Sequence, residues 1–349
     1  MRRSAVIAAF QNPGKIEENL KRLEGFEIIL AVDEPDSELN EIIERYNVKA
    51  TVSEKRRGKW KALNDAAELV KGEYILFLDS DTIILDPGNP YGSDGAEIRK
   101  EVNGDSVLGK LIRIDYFSMH LISLLASKLG TCLGFNGAAF WVKKEVFKEL
   151  GGFRRRINED TDLGVRLGIN GHRYGVCGRA VTEHPKSIRE WLSQRERWAL
   201  GGAEVITENF WKILKKPVMW IPALFLMFPA LIGLVINMIL PDSLLLKILY
   251  FLMVPFGSVS GKAVVILMYI LYGYHVVKNM LAGLITFAIW AALMAVLSRL
   301  TRYSIDLRYL PVYYFIYSPL WMFVALAALA KYLLFRMLGK NVRVSNWKV

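Results

Sequence analysis

Two patterns of apolar residues divide the chain. Between residues 4 and 211 short apolar runs alternate with amphipathic stretches, and from Pro217 long apolar runs take over. Short runs closed by breakers predict buried strands, and apolar residues recurring at three- and four-residue intervals predict helices. Strands are predicted at 4–10, 26–32, 48–52, 74–78, 135–142 and 173–181. Helices are predicted at 16–23, 37–46, 60–70, 111–129 and 143–150, from the acidic segment 158–162 through Leu167, and as an aromatic-rich amphipathic stretch over 188–211. Residues 86–108, rich in Gly, Asp, Asn and Ser, read as a loop. Strand alternating with helix predicts an α/β fold on a mostly parallel, doubly wound sheet.

Crossing a bilayer takes about 20 apolar residues, and Val218–Leu240, Met280–Leu297 and Val312–Leu334 each qualify. Residues 244–277 are ambiguous, because Pro255-Phe256-Gly257-Ser258 interrupts them and Lys247 and Lys262 dilute them. The expectation is about four spans, with three or five open. The chain then divides into an α/β domain over 1–187, amphipathic interfacial helices over 188–216 and a transmembrane domain over 217–349. A multi-pass protein of the cell membrane is expected, with the α/β domain cytoplasmic. The basic clusters Arg299/Arg302/Arg308 and Lys340/Arg343/Lys348 flank a single span, so the positive-inside rule conflicts with itself and does not fix the topology.

The formal net charge is +11, unevenly placed. Residues 1–216 carry 34 Lys and Arg against 32 Asp and Glu, whereas residues 217–349 carry 11 against two. The excess therefore lies among the apolar spans, where it suits anionic lipid headgroups and membrane-end anchoring, so a lipid bilayer is an expected partner. A nearly balanced first half without a basic stripe argues against nucleic acid. Cys132 and Cys177 form neither a disulfide framework nor a metal-ligand spacing, so a reducing cytosolic setting is expected. The run Ser4–Phe10 is too short for a signal peptide, and none is expected.

Chemistry concentrates at the ends of apolar runs. The strand 74–78 stops at Asp79-Ser80-Asp81. Ligands bind outside the carboxyl ends of strands in α/β sheets, and oxygen donors at i and i+2 suit a divalent cation shared with phosphates; a solvated acidic turn is the bland alternative. Asp33, ending the second strand, is either a strand-end cap or an acceptor for a base or ribose. Lys59 opens a helix, where phosphate is already favoured, or is simply solvated. Glu159, Asp160 and Asp162 complement a helix dipole, or Asp160 is a general base whose crowding raises its pKa. Gln194-Arg195-Glu196-Arg197-Trp198 pairs guanidinium groups suited to phosphate with an aromatic face suited to a sugar, or is an interfacial helix. His184 is a candidate extra metal ligand or an ordinary loop histidine.

Taken together, these residues resemble the membrane-embedded family-2 glycosyltransferases of GT-A fold, the branch containing cellulose, chitin and hyaluronan synthases and ceramide glucosyltransferase. The resemblance rests on Asp33, Asp79-Ser80-Asp81, Glu159-Asp160 and the Gln-x-x-Arg-Trp signature at Gln194–Trp198. Gly58-Lys59-Trp60-Lys61-Ala62-Leu63-Asn64 and Phe135-Asn136-Gly137 through Gly151-Gly152-Phe153 add to it, and the match runs in order over residues 4–211. It implies a metal-dependent, inverting transfer of a hexose from a nucleotide-sugar, taken as a UDP-sugar, to a carbohydrate or lipid-linked acceptor. Asp33, Lys59, Asp79, Gln194 and Arg197 would hold the donor, Asp79 and Asp81 a Mg2+ or Mn2+ ion, and Asp160 would deprotonate the acceptor hydroxyl. Asn136, Gly137 and Trp198 would line the acceptor side.

The first motif departs from the family's usual Asp-Asp-x-Ser, reading Asp33-Glu34-Pro35-Asp36-Ser37, and no Phe-x-Val-Thr-x-Lys gating stretch occurs. With so few spans, a channel for a growing polymer would need a homo-oligomer. The nearest alternative is hexose transfer to a polyprenyl phosphate, a branch that usually lacks the Gln194–Trp198 signature. A transporter with a nucleotide-binding domain would place more ionisable residues within the spans.

Overall fold

The computed structural model describes residues 3–11, 13–229 and 276–339, with the isolated positions 235 and 269. The first half follows the predicted alternation: β1 (Arg3–Phe10), α1 (Ile16–Arg22), β2 (Glu27–Asp33), α2 (Ser37–Tyr46), β3 (Lys49–Ser53), α3 (Lys59–Glu68) and β4 (Tyr74–Asp79). Then come β5 (Thr82–Asp86), β6 (Gly95–Val102), α4 (Val107–Lys128), β7 (Ala139–Lys143), α5 (Lys144–Glu149), α6 (Glu159–Ile169), β8 (Tyr174–Thr182) and α7 (Ile188–Leu214). The strands form one eight-stranded sheet in the order β3-β2-β1-β4-β7-β6-β8-β5.

The sheet is mixed, though mostly parallel. β1, β2, β3 and β4 run parallel, β7 lies antiparallel between β4 and β6, β6 is parallel to β8, and β5 closes the edge antiparallel to β8. Helices cover both faces, which is why its strands read as continuous apolar runs. Alternate residues of β4 serve opposite faces. Ile75 and Phe77 join Leu63, Phe140, Phe147 and Leu163 on one side, and Leu76 and Leu78 join Leu20, Leu39 and Trp141 on the other. Register sets the cleft: Phe10 of β1 pairs with Asp33 and Ala8 with Asp79, so both aspartates lie at the carboxyl ends of parallel strands that flank β1.

Two departures from the sequence reading bear on function. The stretch 86–108 is not all loop, because β6 crosses it as an internal strand. Glu97 and Lys100 disguise it by their charge, yet both are buried and pair with each other. The turn Asp79-Ser80-Asp81 leads straight into β5, bound to β8 through Thr82 Oγ1 and Thr182 Oγ1 at 3.0 Å.

Beyond α7, α8 (Pro217–Met227) begins the first expected span, and the rest of that span and the 244–277 region fall outside the described residues, apart from those already named. α9 (Val276–Leu300) contains the second expected span. The third begins earlier than expected, at Leu307, passes through a π turn at Tyr313–Tyr317 and continues as α10 (Ser318–Met337). Met280–Leu300 and Leu307–Met337 are long and apolar enough to cross a membrane, with mean hydropathies of 2.3 and 1.7. The chain divides into two compact units, Met1–Ala223 with Trp321–Val349, and Leu224–Leu320. Within the first, α10 packs on α7: Ala328 meets Ile157 and Leu200, and Lys331 Nζ bonds Glu196 at 2.7 Å.

Candidate active site

Loops and helix ends meet at the carboxyl ends of β2 and β4, beginning with a lysine between carboxylates. Gly58, at φ +94°, turns the chain into α3 and places Lys59 in its first turn. Lys59 Nζ lies 2.7 Å from Asp79 Oδ1 and 3.3 Å from Glu159 Oε1, tying the end of β4 to the start of α6. Burial works against the Lys59 ammonium, but Asp79, Glu159 and Asp160 overcome it and raise its pKa. Glu159 is raised in turn by burial, against the pull of Lys59. Lys59 is therefore engaged with carboxylates here, not solvated.

Asp33 is 4% exposed and anchors the basic loop before α3. It accepts hydrogen bonds from Arg57 N and Nε, both at 2.8 Å, and from Gly58 N at 3.0 Å. This cap holds Lys59 in place. Asp81, open to the cleft, accepts from Thr82 Oγ1 at 3.1 Å, and its pKa is raised by desolvation and then by Asp79. The Asp79–Asp81 turn is backed by Lys15 N, which donates to Ser80 O at 2.6 Å.

Asp160 is half-buried at the α6 N-terminus, its Oδ1 accepting from Thr161 N at 2.7 Å. Gly137 lies directly against it: a Cβ there would sit 2.3 Å from Asp160 Oδ2. The adjoining Asn136 is gripped through its backbone. Its N–H donates to Glu97 Oε2 at 3.2 Å, and its carbonyl accepts from Lys100 Nζ at 2.7 Å. Gly137 thus abuts Asp160, and Asn136 is its neighbour in the chain. Glu97 and Lys100 were missed, because positions three apart in a regular strand face opposite sides and only the register shift between Ile98 and Arg99 interrupts that alternation.

The signature Gln194–Trp198 lies in the middle of α7, capped at its start by Ser187. Asn158 Nδ2, two residues before Asp160, donates to Trp198 O at 2.9 Å, and Gly201 is so close to Asn158 that a Cβ would lie 2.3 Å from its Cγ. This contact joins the signature to the Asp160 loop. Gln194 Oε1 is buried with no hydrogen-bond partner among the described residues, and Arg197 and Trp198 are half-buried. Arg195 corrects the pairing of guanidinium groups for phosphate: fully buried, it lies 2.6 Å from Asp115 of α4. His184 packs on the turn before α4, where a Cβ on Gly104 would lie 2.6 Å from its Nε2.

Asn64, the end of the Gly-Lys-x-x-Ala-Leu-Asn stretch, exchanges hydrogen bonds with the Phe153 backbone at 2.8 and 2.9 Å. It thereby ties α3 to the loop leading to α6.

Comparison with known proteins decides the family. The sequence pattern described as Glycosyl transferase family 2 matches residues 4–87, and that of Glycosyl transferase family group 2 matches residues 99–335. The chain belongs to glycosyl transferase family group 2. Among similar members, the poly-beta-1,6-N-acetyl-D-glucosamine synthase of Staphylococcus epidermidis is 29% identical over 207 residues, 54% of this chain and 50% of that protein. A probable glucomannan 4-beta-mannosyltransferase 6 of Oryza sativa subsp. japonica is 32% identical over 128 residues, covering 34% of this chain and 22% of that one. The chain thus spans half the length of its staphylococcal relative and about a fifth of its plant one. Its fold is shared with a mannosyltransferase from Pyrobaculum calidifontis, solved with GDP-Man and Mn2+, at a TM-score of 0.51, 16% identity and coverage of 80% and 85% of the two chains. The GT-A expectation therefore holds for the fold.

Proposed function

We propose that the chain is an inverting, multi-pass membrane glycosyltransferase, with its GT-A domain on the cytoplasmic side, that moves a hexose from a UDP-sugar to a carbohydrate or lipid-linked acceptor. The observation that carries this reading is the convergence of Asp79, Lys59, Glu159 and Asp160 with the Asn136-Gly137 turn at the carboxyl end of β4. Donor-side and acceptor-side residues are thereby linked through one lysine.

In this reading Asp160 takes the proton from the acceptor hydroxyl as that oxygen attacks the anomeric carbon. The bond from that carbon to the diphosphate breaks, UDP leaves, and the configuration inverts. Asp33 supports the nucleotide, alone or through the loop it anchors, and Lys59, Gln194 and Arg197 face the diphosphate. Asn136, Gly137 and Trp198 receive the acceptor. Asp79 and Asp81 would hold Mg2+ or Mn2+: two carboxylates one residue apart are a donor set for a hard divalent ion, and Asp81, raised first by desolvation, is raised further by the Asp79 charge that a cation would offset. When bound, such an ion neutralises charge on the leaving diphosphate.

The test uses the purified full chain in lipid nanodiscs with radiolabelled UDP-N-acetylglucosamine, UDP-glucose and GDP-mannose, with and without EDTA. The expected result is label in lipid or polymer from a UDP-sugar, lost in EDTA and restored by Mg2+ or Mn2+. Incorporation only from GDP-mannose would overturn the UDP assignment, full activity in EDTA the metal assignment, and no incorporation from any donor the whole reading.

A further inference from the structure

Trp191, Arg195 and Trp198 lie four and three residues apart, on one face of α7. Two other helices meet that face. From α4, Asp115 holds the Arg195 guanidinium at 2.6 Å, with both side chains buried, and the neighbouring Tyr116 sets its ring edge-on to Trp198, centroids 6.5 Å apart. From α10, Trp321 contributes a ring 5.3 Å from the guanidinium carbon. That carbon is 4.4 Å from the Trp198 centroid and 5.9 Å from that of Trp191.

A buried ion pair is a poor source of stability, because apolar residues of similar volume often do as well or better. What an apolar residue cannot supply is a planar, charged fork that is fixed by a carboxylate and attracted to an aromatic face. The fork lies nearest the one ring that carries the signature. The same residue, Trp198, offers its carbonyl to Asn158 beside Asp160, so a shift of this ring or its backbone would reach the proposed base.

We infer that Arg195, clamped by Asp115, is a positioning residue that fixes the Trp198 ring for stacking on the acceptor sugar and links it to Trp321 of α10. The inference rests on the acceptor role proposed for Trp198. Arg195 itself touches no substrate. Its effect falls on acceptor capture, whereas donor binding and the slow reaction of the donor with water do not depend on the ring's orientation.

The test compares Arg195→Lys, Asp115→Asn and Trp198→Ala in the full chain in nanodiscs, with UDP-N-acetylglucosamine and UDP-glucose run in parallel. Label in lipid or polymer measures transfer, free sugar measures hydrolysis, and calorimetry with UDP measures donor binding. Arg195→Lys keeps the charge beside Asp115 and removes the planar fork. It is expected to lower the transfer-to-hydrolysis ratio about 100-fold, the scale of a misplaced reacting group, with UDP affinity unchanged. Asp115→Asn is expected to lower the ratio in the same direction. Near-ultraviolet circular dichroism provides a second readout: the difference spectrum between the parent and its Trp198→Phe form is expected to collapse when Arg195→Lys is the parent.

A wild-type ratio in Arg195→Lys, or equal loss of transfer, hydrolysis and UDP binding, would overturn the positioning role. If Trp198→Ala also left the ratio unchanged, the acceptor reading would fall with it. A lowered ratio in Trp198→Ala alone would overturn only the role of Arg195. For a variant that does not turn over, an unaltered difference spectrum would do the same.

Discussion

Gly137→Ala isolates the packing between the acceptor turn and the proposed base. The new methyl would lie 2.3 Å from Asp160 Oδ2, 3.0 Å from its Cγ and 3.3 Å from its Cβ. An ordinary contact would need roughly 1 Å more, and the atoms in the way are the end of a side chain, so the Asp160 carboxylate swings aside. An off-rotamer side chain costs about 1 kcal/mol, so the fold survives. Displacing a catalytic group by about 1 Å costs roughly 100-fold in rate, or ~2.7 kcal/mol of transition-state stabilisation. Initial rates of sugar transfer by purified Gly137→Ala, together with calorimetric UDP binding and a thermal midpoint, separate these effects. A rate within about threefold of wild type would refute the close packing of Gly137 on Asp160 as a positioning contact.

Lys59→Met removes the cation between Asp79 and the buried Glu159. A destabilisation of about 2–3 kcal/mol is expected after discounting for partial exposure, and an unchanged midpoint in a thermal scan would count against the tie between β4 and α6. The acid limb of stability tests His120 of α4, whose pKa burial lowers to about 4. The unfolded chain takes up this proton near pH 6.5 and the folded chain does not. Stability is therefore present above pH 6.5 and falls as pH drops from there towards 4. His120→Gln is expected to flatten the fall measured in midpoints between pH 7 and pH 5, and an identical slope in both proteins would contradict it.

The cleft was legible wherever chemistry sat at the end of an apolar run. Tyr74–Leu78 is apolar because both faces of β4 are covered, and its carboxylates stand out at the point where the sheet ends. β6 was hidden for the opposite reason. Glu97 and Lys100 are tolerated inside only because each is paired, a fact of the folded state that strand patterning does not carry. The β7 reversal was equally invisible, since parallel and antiparallel core strands share the same apolar pattern.

Arg195 and Arg197 show a further limit. Residues two apart on a helix point in widely different directions, so one guanidinium is buried on Asp115 while the other is half-exposed. The available signal was the spacing of Arg195 with Trp191 and Trp198, together with an aspartate inside the apolar helix α4. For Lys59 the helix start was legible, and its carboxylate partners were not, because Glu159 comes from a distant part of the chain.

The most direct measurement of the central claim is sugar transfer by Asp160→Asn beside its affinity for UDP. A general base contributes about 100- to 10,000-fold to the chemical step and nothing to holding the nucleotide. A loss of transfer on that scale is expected, with UDP affinity unchanged. Wild-type transfer by a variant that binds UDP normally would contradict it.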